Sequence, residues 1–156
     1  MILVAGIGNL FFGDDGFGVA VAQRLAGAPP PRTRVEDYGI RAMHLAFALT
    51  DPHSGPPELC VVVDCMARGG PPGTLYLVEP EVDTPGGVAD AHGMNLPVVF
   101  AAVRELGGEM PRTLIVGCEP ASLEPGIGLS AVVEGAVPEA IEMIRDLLTT
   151  HHEATP

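Results

Sequence analysis

The chain has 156 residues, 47% of them hydrophobic and 18% charged, with 20 acidic against 8 basic side chains for a formal net charge of −12. A chain of this length buries roughly 70% of the surface its unfolded form exposes, so it folds as one domain (residues 1–156) without disulfides or a structural metal. The apolar content excludes a disordered chain, and the acidity argues against nucleic-acid or anionic-membrane partners.

Ile2–Ile7 is a short apolar run ending at Gly6, Gly8 and Asn9, as expected of a strand buried on both faces. These glycines and Asn9 interrupt it too early for a signal peptide or a membrane span. Asp14 to Ala26 follows, with Phe17, Val21 and Leu25 four apart on one helical stripe, and Pro29-Pro30-Pro31 stops it. Thr33–Asp37 reads as a second strand, and Ala42, Leu45, Ala46 and Leu49 as the stripe of a second helix. Leu59–Asp64 is β-branched and apolar up to its last residue, the clearest strand in the chain. Thr74–Val78 reads as a fourth strand. Its connection is too short for a crossover helix, which predicts that it runs antiparallel to the strand before it.

Residues 79–91 read as loop. Leu96, Val99, Phe100 and Val103 mark a third helix, with Asn95 as its N-cap and Pro97 in its first turn. Arg112–Cys118 reads as a final strand. Val133, Val137, Ala140, Ile141, Ile144 and Leu148 mark the last helix, which Pro138 either kinks or begins. Strands alternating with helices on short loops predict a three-layer α/β/α sandwich. Its sheet has about five mostly parallel strands, one antiparallel. Ligands of such folds bind at the carboxyl ends of the strands.

That edge is acidic. Asp14 and Asp15 follow the first strand, Asp64 closes the middle one, Glu119 follows the last, and His92 precedes the third helix. One aspartate of the first pair is expected to cap the helix. A carboxylate closing a buried strand must be solvated or paired. Two carboxylates and an imidazole from separate loops suit a divalent transition metal such as nickel or zinc, with coordination positions left open. A nucleotide reading is weaker. Gly6-Ile7-Gly8 lacks the third glycine of a dinucleotide fingerprint, since position 11 is Phe11, and two aspartates occupy the helix end that would hold phosphate. Cys60, Cys65 and Cys118 form no paired-cysteine motif and read as reduced thiols of a cytoplasmic protein.

Four blocks in order along residues 2–148 resemble the maturation proteases of [NiFe]-hydrogenases. They are Gly6-Ile7-Gly8-Asn9 with Gly13-Asp14-Asp15-Gly16; Val63-Asp64 with Pro72-Gly73-Thr74-Leu75; Asp90-Ala91-His92-Gly93; and Val116-Gly117-Cys118-Glu119-Pro120 with Gly126-Ile127-Gly128-Leu129-Ser130. The resemblance implies an aspartyl-type endopeptidase that removes the C-terminal extension of a nickel-loaded large-subunit precursor. Nickel, brought by the substrate, serves as the recognition signal, so the free enzyme carries no obligatory metal. The implied metal contacts are Asp15, Asp64 and His92. Asp15 and Asp64 are the catalytic candidates, either through metal-activated water or as a general base. The stretch from Tyr38 to His44 departs from the family's shorter Gly/Thr-rich turn. Arg41 and His44, with Asn9, are therefore the candidate substrate-contacting residues. The alternative readings are a non-catalytic nickel-checkpoint protein that binds the loaded precursor, and a small nucleotide-binding domain.

Overall fold

The computed structural model describes residues 1–80 and 96–155. Its elements are β1 (Ile2–Ile7), a 3-10 turn (Gly13–Gly16), α1 (Phe17–Leu25), β2 (Thr33–Gly39), α2 (Ala42–Thr50), β3 (Leu59–Cys65), β4 (Leu75–Val78), α3 (Leu96–Glu105), β5 (Arg112–Cys118) and α4 (Ala131–Ala154). The five strands form one sheet in the order β2-β1-β3-β5-β4. β1 pairs in parallel with both β2 and β3, and β3 pairs in parallel with β5 from Leu59↔Arg112 to Cys65↔Cys118.

β4 is the antiparallel member, but its hydrogen-bonded neighbour is β5, with Leu75 opposite Cys118 and Val78 opposite Ile115. It therefore runs opposite to β3, as a short connection requires, without touching it. The chain crosses one strand position and leaves the space beside β3 for β5, whose run of buried apolar residues suits a central position.

The helices form two layers. On one face Leu45 and Leu49 of α2 and Val99 and Phe100 of α3 pack against Leu3, Ala5, Cys60, Val62 and Ile115. On the other, Phe17 and Val21 of α1 and Val137 and Ile144 of α4 pack against Val4, Val61, Val63 and Val116. Strand alternation divides the sheet in this way, and Asp64 shares the first face with Val62 while Cys65 shares the second with Val63. Among the described residues, no helix is long and apolar enough to cross a membrane.

Several expected boundaries shift, β3 ending at Cys65 rather than Asp64 and β4 starting at Leu75 rather than Thr74 among them. The helix expected from Asp14 is a 3-10 turn followed by α1 from Phe17, and no side chain caps either. The cause is Asp14, whose carboxylate is drawn away from the helix by partners across the molecule. α4 begins at Ser130–Ala131 and runs through Pro138, seven residues before the alternative start. β2 extends to Gly39. Asn95 and residues 81–91 of the expected loop lie outside the described residues.

The glycines of the first block serve packing. A Cβ on Gly18 would lie 2.0 Å from the Val63 carbonyl oxygen and 2.4 Å from that of Ile7, and one on Gly6 would lie 2.3 Å from the Gly18 carbonyl oxygen. The start of α1 thus lies directly on the backbones of β1 and β3. This brings the residues just before the helix against the ends of both strands.

Candidate active site

The carboxyl ends of β1, β3 and β5 converge on a small acidic edge. Asp64, the penultimate residue of β3, is 4% exposed and accepts the Cys65 N–H at 2.7 Å. Burial first, and the negative charge of Asp15 second, push its carboxyl well above the ordinary aspartate range. Asp15 is half-buried and accepts the Asn9 N–H at 2.8 Å. Gly8 lies between the two, with φ +133°. A Cβ there would lie 1.9 Å from the Asp15 carbonyl oxygen and 3.7 Å from Asp64 Oδ1. Only glycine lets the end of β1 pass this close to the Asp15 backbone, so the strand turn packs the loop that carries Asp15 beside the end of β3.

The neighbouring acids have a different job. Asp14 is 1% exposed and fully engaged. It accepts the N–H groups of Ala121 (2.8 Å), Ser122 (3.1 Å) and Ser130 (2.7 Å) and the Ser130 hydroxyl (2.9 Å). Burial alone would raise its carboxyl, but these four donors together hold it below the usual range. Glu119 does the same beyond β5. It accepts from Arg68 N (2.9 and 3.1 Å), Gly70 N (2.6 Å) and the Tyr76 hydroxyl (2.9 Å), and these donors outweigh burial to keep it below its ordinary value. Asp14 and Glu119 thus fix the loops that frame the edge, while Asp15 and Asp64 stand at its centre. The sequence reading expected a helix cap in the first pair and assigned Glu119 no role. The signal for both was chemical, an acid beside loops rich in free backbone N–H groups.

The remaining candidates are dispersed. Asn9 stands in the turn after β1, and its Oδ1 accepts the Phe11 N–H at 2.9 Å. With Gly8, Phe11, Asp37, Ile40 and Arg41 it lines a cavity of about 240 Å³. The Arg41 guanidinium is directed to the end of β2, donating to the Tyr38 carbonyl at 3.1 Å and to the Asp37 carbonyl. His44 is exposed on α2 and lines a larger groove of about 920 Å³ with Arg34, Tyr38, Arg41 and Phe47. His92 lies outside the described residues, and among those described no group of three His, Cys, Asp or Glu side chains is placed to hold a metal ion.

No thiol competes for the chemistry. Cys118 is buried in the α1/α4 cluster, and Cys65 is buried next to Asp64. Burial first, then nearby carboxylates, raise both thiols, Cys118 to about 12. Neither is a thiolate at neutral pH.

The fold is an α/β domain of the kind whose ligands bind at the carboxyl edge of the sheet, and that edge is acidic here. Residues 19–147 match the family model described as hydrogenase maturation protease. The chain is 32% identical over 162 residues to hydrogenase expression/formation protein HupD of Rhodobacter capsulatus, covering 99% of this chain and 74% of that one. It is 30% identical over 149 residues to the hydrogenase 2 maturation protease of Escherichia coli, covering 92% and 87%. The solved structure of the hydrogenase maturating endopeptidase HybD from E. coli superposes with a TM-score of 0.77 at 26% identity, covering 96% of this chain and 93% of that one. The chain therefore belongs to the hydrogenase maturation protease family, and it is a peptidase.

Proposed function

We propose that this peptidase removes the C-terminal extension of a nickel-loaded [NiFe]-hydrogenase large-subunit precursor in the cytoplasm, and that it recognises the nickel through Asp15, Asp64 and His92. What supports this reading is the electrostatic coupling of two acids from separate elements, Asp15 and Asp64, the second buried and, among the described residues, without a cationic partner. Burying a carboxyl against a second acid lowers stability, so such a pair suits a site that gains its counter-charge from a ligand. Carboxylates with an imidazole are suitable donors for nickel.

The pair serves hydrolysis in two ways. Its oxygens orient the metal-bearing end of the substrate, so that the scissile peptide lies against the edge. A carboxylate oxygen of the pair that the metal leaves free takes a proton from the attacking water and passes it to the leaving amine as the peptide C–N bond breaks. An acyl-enzyme is disfavoured, because burial and the neighbouring carboxylates raise the thiols of Cys65 and Cys118 and leave neither as a thiolate at neutral pH.

The test is to incubate the protein with nickel-loaded and nickel-free precursor and to follow both by mass spectrometry. Loss of a C-terminal peptide from the loaded form alone supports the reading. Equal cleavage of both forms contradicts nickel recognition, and a stable complex with no mass change makes the protein a checkpoint binder.

A further inference from the structure

Beside the carboxylates lies an apolar surface that the described residues leave exposed. Phe11 is 66% exposed and Ile127 is 80% exposed, with Leu10, Phe12 and Leu123 exposed near them in sequence. Single exposed apolar residues are ordinary, but several on adjoining loops are not.

These loops are held together by backbone. Phe12 and Gly126 form a parallel β-bridge, the Gly126 N–H donates to the Phe11 carbonyl at 2.8 Å, and the Gly13 N–H donates to the Gly126 carbonyl at 2.9 Å. The Asp14 N–H donates to the Ser122 carbonyl at 3.1 Å, and the Asp14 carboxylate ties Ala121, Ser122 and Ser130 from the other side. A loop free to rearrange would fold Phe11 and Ile127 inward. This network instead fixes them outward on a pre-organised ledge, so that docking would order little that is not already ordered.

Resting on the protease reading above, we propose that this ledge, built from residues 10–12 after β1 and 123–127 after β5, is the surface on which an apolar face of the folded precursor docks beside the segment to be cut. Two observations select this occupant. The first is charge. Of residues 10–12 and 123–127 only Glu124 is ionisable, in a chain of net charge −12, so the ledge is nearly neutral and suits a largely uncharged protein face. The second is continuity with the site. The Asp15 N–H donates to the Phe12 carbonyl at 3.1 Å, and Asp15 accepts the Asn9 N–H, so the ledge and the reactive carboxylate belong to one loop. A body seated on Phe11 and Ile127 delivers its chain to Asp15 and Asp64. A second copy of this chain seated there would instead crowd that edge.

The experiment compares wild type with Phe11→Ser, Ile127→Ser and the double variant. It measures kcat and KM on the nickel-loaded precursor, the thermal midpoint, and sedimentation of the free protein. The expected result is a KM raised about tenfold by each substitution and about a hundredfold by both. The expected kcat is within about twofold of wild type, since the side chains act before the chemical step. The Kd for precursor, measured in an Asp64→Asn background, weakens by the same factors and reports docking even where turnover is slow. An unchanged KM and Kd overturns the proposal. So does a fall in kcat at constant KM, which would mean that the loop acts on the chemistry. A wild-type dimer dissociated by Phe11→Ser overturns it in favour of a second copy. Failure of wild type to cut the precursor at all removes the protease reading itself, an outcome separate from the others.

Discussion

Asp14, Asp15 and Asp64 are one residue type in three physical situations. Among the described residues, Asp14 is surrounded by donors, Asp15 accepts a single N–H beside the apolar loop, and Asp64 is buried with one neighbouring N–H and a like charge. Their effects on stability follow with opposite signs. The carboxyl of Asp14 is held below its ordinary value, so it stabilises the fold above the unfolded aspartate range, near 3.9, and that contribution is lost as pH falls through the lowered folded value. Asp64 is raised, so the folded state keeps a proton that the unfolded chain releases, and stability falls as pH rises from the ordinary range through the raised value. At pH 7, Asp14→Ala should therefore lose about 2–4 kcal/mol, because the N–H groups of Ala121, Ser122 and Ser130 are left without their acceptor. Asp64→Asn should raise the unfolding midpoint of the metal-free protein. Urea denaturation of both variants at pH 5 and pH 7 checks the pair, and a destabilised Asp64→Asn would show that this carboxyl is structural. Residue pattern marked all three as acids at one edge of the sheet; only the family resemblance set Asp15 and Asp64 apart from Asp14, and pattern alone gave no sign of what Asp14 does. That distinction depends on backbone donors more than a hundred residues away, in a loop whose sequence gives no sign of where it folds back.

At the scale of elements, the turn from β1 into α1 does most to build the site. Gly8 lets the loop that carries Asp15 pack beside the end of β3, and Gly18 lets the helix descend onto the strands. Gly18→Ala would place a methyl group within 2.4 Å of two backbone carbonyl oxygens that have little room to move. It should cost about 3 kcal/mol or more, or prevent folding. A midpoint within a degree of wild type in thermal unfolding would mean that the helix sits further from the sheet than described. Most elements were legible from pattern alone. The apolar runs of β1, β3 and β5 and the four-residue stripe of α1 leave few alternatives, because each must bury the face that the pattern defines. The partner of β4 was not legible. Its length and turn set its direction, but its neighbour depends on β5, which comes about forty residues later and takes the central position because its apolar run is buried on both faces. Likewise the expected helix from Asp14 failed because a tertiary demand on one carboxylate overrode a local preference for capping.

At the scale of the whole molecule, differently engaged acids and exposed apolar side chains fall at different places along one edge. Two acids clamp the loops, two meet at the centre, and apolar side chains stand outward on the clamped loops. The rest of the surface carries the excess negative charge, and basic side chains are partly consumed locally, as in the Arg34–Glu36, Arg24–Glu134 and Arg112–Glu79 pairs. Arg41, expected at a partner surface, directs its guanidinium to the end of β2, while His44 faces the wide groove alongside it. The central claim is that Asp15 and Asp64 together carry the cleavage. The most direct measurement is the single-turnover rate on nickel-loaded precursor for wild type, Asp15→Asn and Asp64→Asn, each shown to be folded by circular dichroism. Each variant should cut at least about a hundredfold more slowly than wild type, the scale expected when a general base is removed. Cleavage by both variants at the wild-type rate would contradict the assignment and move the chemistry elsewhere on the molecule.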